Sequence, residues 1–325
     1  MLQCLIFITT SQGRKLGLGL LRKVYSIARK HEFYGTILEV QPLLKASSTG
    51  KAKGSKYQYW DDLIRRNEKA REANLRAFDL HNRYQELHSY FGKLSKKKHL
   101  EYLEQFIATL TTDYERTGYS TSGYFKVVLQ TAYYEKNGQY GKAISVCKEL
   151  IELLDNKVAV RSKARLGVQY VNIAAMEFQN GRMLEALRYN ELSISTSIAA
   201  SADEYHKLAQ QVEITFHLEM FEGAIAANDK IIRAGKVVGE FDLAIAHVFE
   251  AAIEFKLGNF KNAFKLLNQK FALSTDKLGL EFSVRILLLL TLVEMGKMEE
   301  AETSLINIDR FVQRHSKGRE FTKRD

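Results

Sequence analysis

Proline is nearly absent from this sequence. Pro42 is the single proline among 325 residues, whereas average usage of about 5% would give roughly sixteen. Because proline removes a backbone donor and clashes inside helices, its scarcity favours long helices joined by short connections. The strict alternation of apolar and polar residues that half-buried strands require is also rare. These two shortages predict an all-α protein.

Cysteine and long apolar runs are scarce as well. The two cysteines, Cys4 and Cys147, are far apart and lack the spacing of metal ligands, which argues against a disulfide framework and favours a reducing compartment. The longest apolar run, residues 2–8, is shorter than the ~18 residues that a membrane span requires, and no positive charge precedes it as in a secretion signal. We therefore expect a cytoplasmic protein without membrane contact, in which Cys147 is a small core residue.

Positive charge is concentrated in the first third of the chain. The formal net charge is +10. Residues 1–98 contain 20 Lys and Arg against 8 Asp and Glu, and residues 99–325 contain 28 against 30, so the basic excess lies before residue 99. A clustered basic region attracts phosphate backbones or acidic protein surfaces. No motif of a nucleic-acid-binding module accompanies it, and a solvated helical face is the simpler interpretation.

A periodic pattern runs through the rest of the chain. Five segments share a small or turn residue, one residue, a large apolar residue, two residues and then alanine; they are residues 138–143, 181–186, 219–224, 258–263 and 296–301. Their alanines are 43, 38, 39 and 38 residues apart, a period typical of solenoids. In four of the segments a glycine ends a first helix, and in all five the large apolar residue begins a second helix and alanine lies where the two helices cross closely. The pattern predicts helical hairpins, each covered by the next.

These motifs resemble those of the tetratricopeptide repeat (TPR) family, most clearly in residues 170–189 and 251–263. The resemblance covers roughly residues 121–315. The period is longer than in the usual repeat, and Glu219 replaces the turn glycine of the third segment. The resemblance implies a right-handed superhelical solenoid of antiparallel helix pairs.

The chain before residue 121 follows the same pattern less clearly. We expect residues 1–56 to form an N-terminal helical pair, stopped at Pro42 and followed by a basic flexible loop, residues 45–56. Residues 57–120 should form a long helix and a following helix that continue the solenoid, and residues 121–325 the repeats and a C-terminal tail. Because a solenoid normally opens with a polar capping unit, the apolar residues 2–8 prompt the hypothesis that the natural chain has further repeats upstream.

The resemblance also implies a function. In this family the first helix of each pair lines a concave surface on which peptides or helices dock, which implies a protein-interaction scaffold rather than an enzyme. Carried over unit by unit, the polar residues on that surface are Asn172, Gln179, Gln210, Glu213, His217 and Lys256, with apolar contact from Phe178, Phe216, Phe249 and Phe255. No catalytic, cofactor or metal site is predicted.

One alternative function uses the basic first third. In that reading the chain is a regulator that contacts nucleic acid, while the repeats sense a partner. Salt separates the two, because phosphate-backbone binding weakens steeply with ionic strength and peptide binding in a groove much less.

Overall fold

The computed structural model describes residues 14–48, 55–89, 95–269 and 279–316, and their regular structure is entirely helical. A short 3-10 turn, Gly235–Val237, follows the tenth of the fourteen described α-helices. The α-helices are α1 (Arg14–Lys30), α2 (Tyr34–Ser48), α3 (Ser55–Ser89), α4 (Lys96–Thr117), α5 (Ser120–Lys136), α6 (Tyr140–Asn156), α7 (Lys163–Gln179), α8 (Met183–Ile194), α9 (Ala202–His217), α10 (Phe221–Ala234), α11 (Glu240–Lys256), α12 (Phe260–Leu267), α13 (Leu280–Glu294) and α14 (Met298–Ser316). The predicted all-α class is confirmed.

The chain divides into two compact units, Met1–Asn180 and Gly181–Asp325. In the first, each helix from α1 to α6 packs against the next one, and the long helix α3 also packs against α5. Small side chains on α3 permit this close packing, since Ala70, Ala73 and Ala77 are almost completely buried. The predicted division at residues 56 and 120 stays a prediction.

In the second unit, α8 to α14 also pack in chain order as antiparallel neighbours. In addition α9 contacts α11, and α11 contacts α13. The first helices of successive pairs therefore lie side by side, as expected when one helical hairpin covers the next. A core cluster that includes Leu208, Val212, Ala227, Ile231 and Ala246 joins α9, α10 and α11.

The predicted turns join the two helices of each repeat. Gly138, Gly181, Gly258 and Gly296 have φ between 69° and 79°, a left-handed conformation that glycine adopts without steric penalty. The first of these turns shows the hydrogen bonds that close the helix end: the Gly138 N–H donates to the Glu135 carbonyl at 2.9 Å and the Gln139 N–H to the Tyr134 carbonyl at 2.8 Å. The alanines that end the motifs are buried, none more than 5% exposed. The glycine turns are confirmed, and the burial of the alanines agrees with the position predicted for them.

Glu219 adopts the same turn without being glycine. Its φ is 58°, its N–H donates to the Phe216 carbonyl at 3.1 Å, and the Met220 N–H donates to the Thr215 carbonyl at 2.9 Å. Glu32, which follows α1, has φ of 55°, and the turn there has the same pair of bonds, from Glu32 to Arg29 and from Phe33 to Ala28. The α1–α2 pair is thus a further hairpin of the repeated type.

We expect Glu219→Gly to stabilise the protein. The left-handed conformation costs a side-chain-bearing residue about 1–2 kcal/mol, and the greater freedom of glycine in the unfolded chain offsets part of this gain. The net increase in the free energy of unfolding should be about 0.5–1 kcal/mol, measured by urea denaturation. Ala226→Gly, at an exposed position inside α10, is the control and should lose about 1 kcal/mol. A loss of stability in Glu219→Gly would contradict the reading of this turn.

The expected helix stop at Pro42 is wrong. Helix α2 continues through Pro42 to Ser48, so that Lys45, predicted to begin the flexible loop, is helical. Val40 and Gln41 are fully buried and Leu44 is 5% exposed, so the helix packs on both sides of the proline. Tertiary packing there outweighs a local penalty of about 3 kcal/mol. Residues 49–54 of the predicted loop lie outside the described residues.

A half-buried carboxylate, that of Glu32, joins the first hairpin to α5. The two carboxylate oxygens of Glu32 accept hydrogen bonds from the Ser120 hydroxyl at 2.6 Å and the Ser120 N–H at 3.2 Å. Burial raises the pKa of Glu32 above its usual value, although the bonds from Ser120 act in the opposite direction. The carboxylate lies at the N-terminus of α5, where free backbone donors favour negative charge.

Candidate functional site

Helix α9 presents three of the predicted contact residues on one face. Gln210, Glu213 and His217 are spaced three and four residues apart, which places them in one row along a helix. Glu213 and His217 are exposed, and Gln210 is half-buried. Lys256 is exposed at the last residue of α11, the helix that packs beside α9.

The other predicted residues belong to the first unit or are engaged in packing. Asn172 is half-buried and Gln179 is exposed on α7, a helix of the first unit. The Gln210 side-chain oxygen accepts a hydrogen bond from Asn190 Nδ2 at 2.9 Å, so this amide joins α8 to α9. Glu213, His217 and Lys256 are therefore the predicted residues that face solvent within the second unit.

The predicted phenylalanines are half-buried and in part contact one another. The Phe216 ring centroid lies 6.2 Å from that of Phe249 and 6.0 Å from that of Phe221. The Phe255 and Phe260 centroids are 5.5 Å apart, across the turn between α11 and α12. Phe178, in the first unit, is half-buried as well. Phe216 and Phe249 thus join α9 to α11 and leave only part of their surface for a ligand.

A cavity opens between α9, α10 and α11. The space inside it is about 60 Å³, which is small beside the ~300–1,000 Å³ typical of ligand pockets. Its apolar walls include Tyr205, Ala209, Ile231, Ile245 and Phe249. Two exposed polar side chains, His206 and Asp242, also line it. His206 lies four residues before Gln210, so the cavity adjoins the row of polar residues on α9.

Comparison with solved structures decides the fold. The structure of BtubC (BKLC) from P. vanneervenii superposes with a TM-score of 0.56 at 15% identity, over 72% of this chain and 96% of that one. The fold is TPR-like. Two others are a putative kinesin light chain of Podosopora anserina with nearly identical TPR-like repeats (TM-score 0.49, 14% identity, 58% of this chain and 94% of that one) and the Cut9–Hcn1 complex of the APC/C (0.47, 13%, 94% and 54%).

These likenesses are confined to structure. No protein-family model and no curated protein matches the sequence. The resemblance inferred from the repeat motifs is confirmed by the fold alone.

Two asparagines at equivalent positions, Asn190 and Asn228, join consecutive hairpins of the TPR-like fold. The sequence analysis did not identify them. Asn190 Nδ2 donates to the Lys207 carbonyl at 3.0 Å, and Asn228 Nδ2 donates to the Ala246 carbonyl at 2.9 Å. Both side chains are buried. Each asparagine lies four residues after the alanine of its motif, so the two asparagines are 38 residues apart. This equal spacing was the available signal. Because each amide donates to the backbone of the next hairpin, we infer that these asparagines stabilise the fold and do not bind a ligand.

A buried lysine closes the connection between α8 and α9. The Lys207 side chain is 2% exposed, and its ammonium lies 2.7 Å from an Asp203 carboxylate oxygen. It also donates to the Ser197 hydroxyl at 2.8 Å and the Ser193 carbonyl at 3.2 Å. The partners that the buried charge requires are thus supplied from within the protein.

Cys147 and His81, whose side chains could in principle react or bind a metal, lie in packed surroundings. Cys147 is fully buried as predicted, and burial raises the pKa of its thiol to about 11, which keeps it protonated and unreactive. His81 stacks on Phe125 with ring centroids 4.5 Å apart. Within the described residues, no group of three or more His, Cys, Asp or Glu is arranged to hold a metal ion. The part of the chain that the structure describes also has no helix of the length and hydropathy needed to cross a bilayer.

Proposed function

We propose that this protein is an interaction scaffold that binds a peptide or helix of a partner protein on the face formed by α9 and α11. The observation that carries the proposal is the cavity between these helices, which adjoins exposed polar side chains on a fold of helical hairpins. We infer a binding role rather than a catalytic one. The two distant cysteines, of which Cys147 is a buried thiol, are consistent with the cytoplasm, the compartment that we propose.

The cavity fits one apolar side chain of a partner better than a charged one. Most of its lining is aliphatic or aromatic, contributed by residues such as Ile231, Ile245 and Phe249, and burying an unpaired charge against such walls is unfavourable. His206 and Asp242 can hydrogen-bond the backbone on either side of the inserted side chain, as polar groups at the edge of apolar pockets commonly do.

The row on α9 extends the same surface. Glu213 and His217 continue beyond His206 along one helix face and are exposed, so a segment anchored in the cavity can reach them. Because helical hairpins hold these side chains in place before binding, little ordering of the protein opposes association. Gln210 is a poorer probe of binding, since its bond to Asn190 also joins two helices.

We expect Ala209→Arg to abolish partner binding while leaving the fold intact. Ala209 is half-buried in the cavity wall, so a long charged side chain there obstructs the cavity. Peptides selected on the wild-type protein from a phage-displayed library should bind Ala209→Arg at least tenfold more weakly, about 1.4 kcal/mol. Isothermal titration calorimetry measures the difference.

The matched control is Ala226→Arg, at an exposed position of α10 that does not line the cavity. It makes the same chemical change and should leave peptide affinity unaltered. Circular dichroism melting of both variants verifies that they fold. If the selected peptides bind Ala209→Arg as tightly as the control, the α9–α11 face is not the binding face and the proposal is wrong.

A further inference from the structure

Helix α1 exposes an apolar row beside lysines. Leu16, Leu20 and Ile27 are 59%, 39% and 49% exposed, and Leu20 and Ile27 are seven residues apart. Lys23 lies three residues after Leu20 and Lys30 three residues after Ile27, so each lysine neighbours an apolar side chain on the helix surface. We call these five residues the α1 stripe.

The positive charge of α1 is not neutralised by neighbours. The helix contains no acidic residue. Within the residues that the structure describes, its exposed cations form no ion pair; they are Lys15, Arg22, Lys23, Arg29 and Lys30. Such a surface favours a partner that brings both apolar and acidic groups.

Helix α14 carries the complementary arrangement. Met298 and Leu305, seven residues apart, are each 56% exposed. Glu302 lies four residues after Met298 and Asp309 four residues after Leu305, and both carboxylates are exposed. In the described part of the chain Glu302 has no ion-pair partner, and Asp309 accepts a hydrogen bond from Gln313 Nε2 at 2.7 Å. These four residues are the α14 stripe.

We propose that the α1 stripe of one copy of this chain packs on the α14 stripe of a second copy. Each stripe has two apolar residues seven positions apart, and the charges beside them are of opposite sign in the two stripes. Seven-residue apolar spacing with flanking charges is the pattern by which packed helices select a partner and its register. The contact joins two different surfaces, so copies associate head to tail into open chains or closed rings.

A helix fits the α1 stripe better than a bilayer or a nucleic acid does. Leu20 and Ile27 are about half covered by their own protein, at 39% and 49% exposure, and Leu16, at 59%, is also partly covered, which suits a shallow contact with a helix. A nucleic-acid backbone is bound through its phosphates by basic and polar residues, so exposed aliphatic side chains would contribute no affinity for it. This self-association is independent of peptide binding at the α9–α11 face, so either proposal can fail without the other.

Charge exchange tests the contact. Lys23→Glu/Lys30→Glu makes the α1 stripe acidic, and Glu302→Lys/Asp309→Lys makes the α14 stripe basic. The wild-type chain should associate in a concentration-dependent way in sedimentation velocity. The association should weaken between about 0.1 and about 1 M salt, as the Debye length falls from about 10 to about 3 Å. Each variant alone should associate at least about a hundredfold more weakly, because like charges then face each other.

Mixing the two variants is the decisive step. Every α1 stripe in a 1:1 mixture finds an α14 stripe of opposite charge, so association should return to the wild-type level. Circular dichroism melting verifies that both variants fold. A monomeric wild type, undiminished association in either variant, or failure of the mixture to associate would each overturn the proposal. Loss of binding to phosphatidylserine vesicles or to single-stranded RNA in Lys23→Glu/Lys30→Glu, without any self-association of the wild type, would assign the α1 stripe to that ligand instead.

Discussion

Asp113→Ala is expected to lower the free energy of unfolding by about 3 kcal/mol, the low end of the range for removing one partner of a buried ion pair. The Asp113 side chain is 5% exposed and faces two arginines. One carboxylate oxygen accepts from Arg76 Nε at 2.7 Å, and the other accepts from Arg76 Nη2 at 2.9 Å and Arg116 Nη2 at 3.1 Å. Alanine removes all three bonds and leaves the guanidinium groups without their carboxylate.

The low end applies because water can reach both arginines. The Arg76 and Arg116 side chains are 39% and 48% exposed, so hydration replaces part of what the carboxylate supplied. Asp113 lies on α4 and Arg76 on α3, so the pair also fixes the long helix against its successor. Urea denaturation followed by circular dichroism measures the change.

The control for Asp113 is Asp79→Ala. Asp79 pairs with Arg83 at 3.0 Å on the exposed surface of α3, where the two side chains are 54% and 62% exposed. Exposed pairs of this kind contribute at most about 0.5 kcal/mol. A loss below about 1 kcal/mol in Asp113→Ala, the usual scale of a single neutral hydrogen bond, would refute its role as a buried tie between α3 and α4.

Gly123→Ala is expected to destabilise the protein by about 1–3 kcal/mol, the usual consequence of adding a methyl group where there is no room. Gly123 lies on α5, and a β-carbon there would be 2.7 Å from Tyr114 Cε2 and 3.0 Å from Tyr114 Cδ2. Tyr114 belongs to α4, so the helices approach each other through the bare glycine. Either the ring or the helix must move to admit the methyl group.

A glycine in the next helix provides the matched control. Gly141 lies in the first turn of α6, where a β-carbon would meet no atom within 4 Å. Gly141→Ala should therefore raise the free energy of unfolding by up to about 1 kcal/mol, because alanine is the better helix former. If Gly123→Ala lowers the free energy of unfolding and Gly141→Ala raises it, the loss at Gly123 can be attributed to the contact with Tyr114. A gain in stability at both positions would show that the tyrosine ring yields freely.

The repeat architecture was open to prediction because its signals are local. A turn glycine, a large apolar residue and a buried alanine lie within six positions of one another. The glycine indicates a left-handed turn, and the small alanine indicates a position where two helices pack closely. The turn at Glu219 was predicted from its place in this series, although the residue type alone argues against a left-handed conformation. The asparagines at 190 and 228 obey the same spacing and were open to the same reading.

The candidate site was less accessible to sequence reasoning. The contact residues of α9 were predicted from the resemblance to the TPR family, and in the structure Gln210 and Phe216 contact neighbouring helices. The cavity beside them is built from three helices, and no short motif encodes its shape. Pro42 shows the same limit, because burial of Val40 and Leu44 carries α2 past a residue that locally disfavours a helix.

The sequence by itself determined that this chain is helical, that it turns at the first residue of each motif, and that the alanine ending each motif is buried. Only the tertiary structure decided that Glu32 caps α5 across 88 residues, that Asp113 holds Arg76, and which polar side chains stay exposed. The physical reason is range. Backbone conformation and helical periodicity depend on residues a few positions apart, whereas burial and hydrogen bonding depend on which distant segments the folded chain brings into contact.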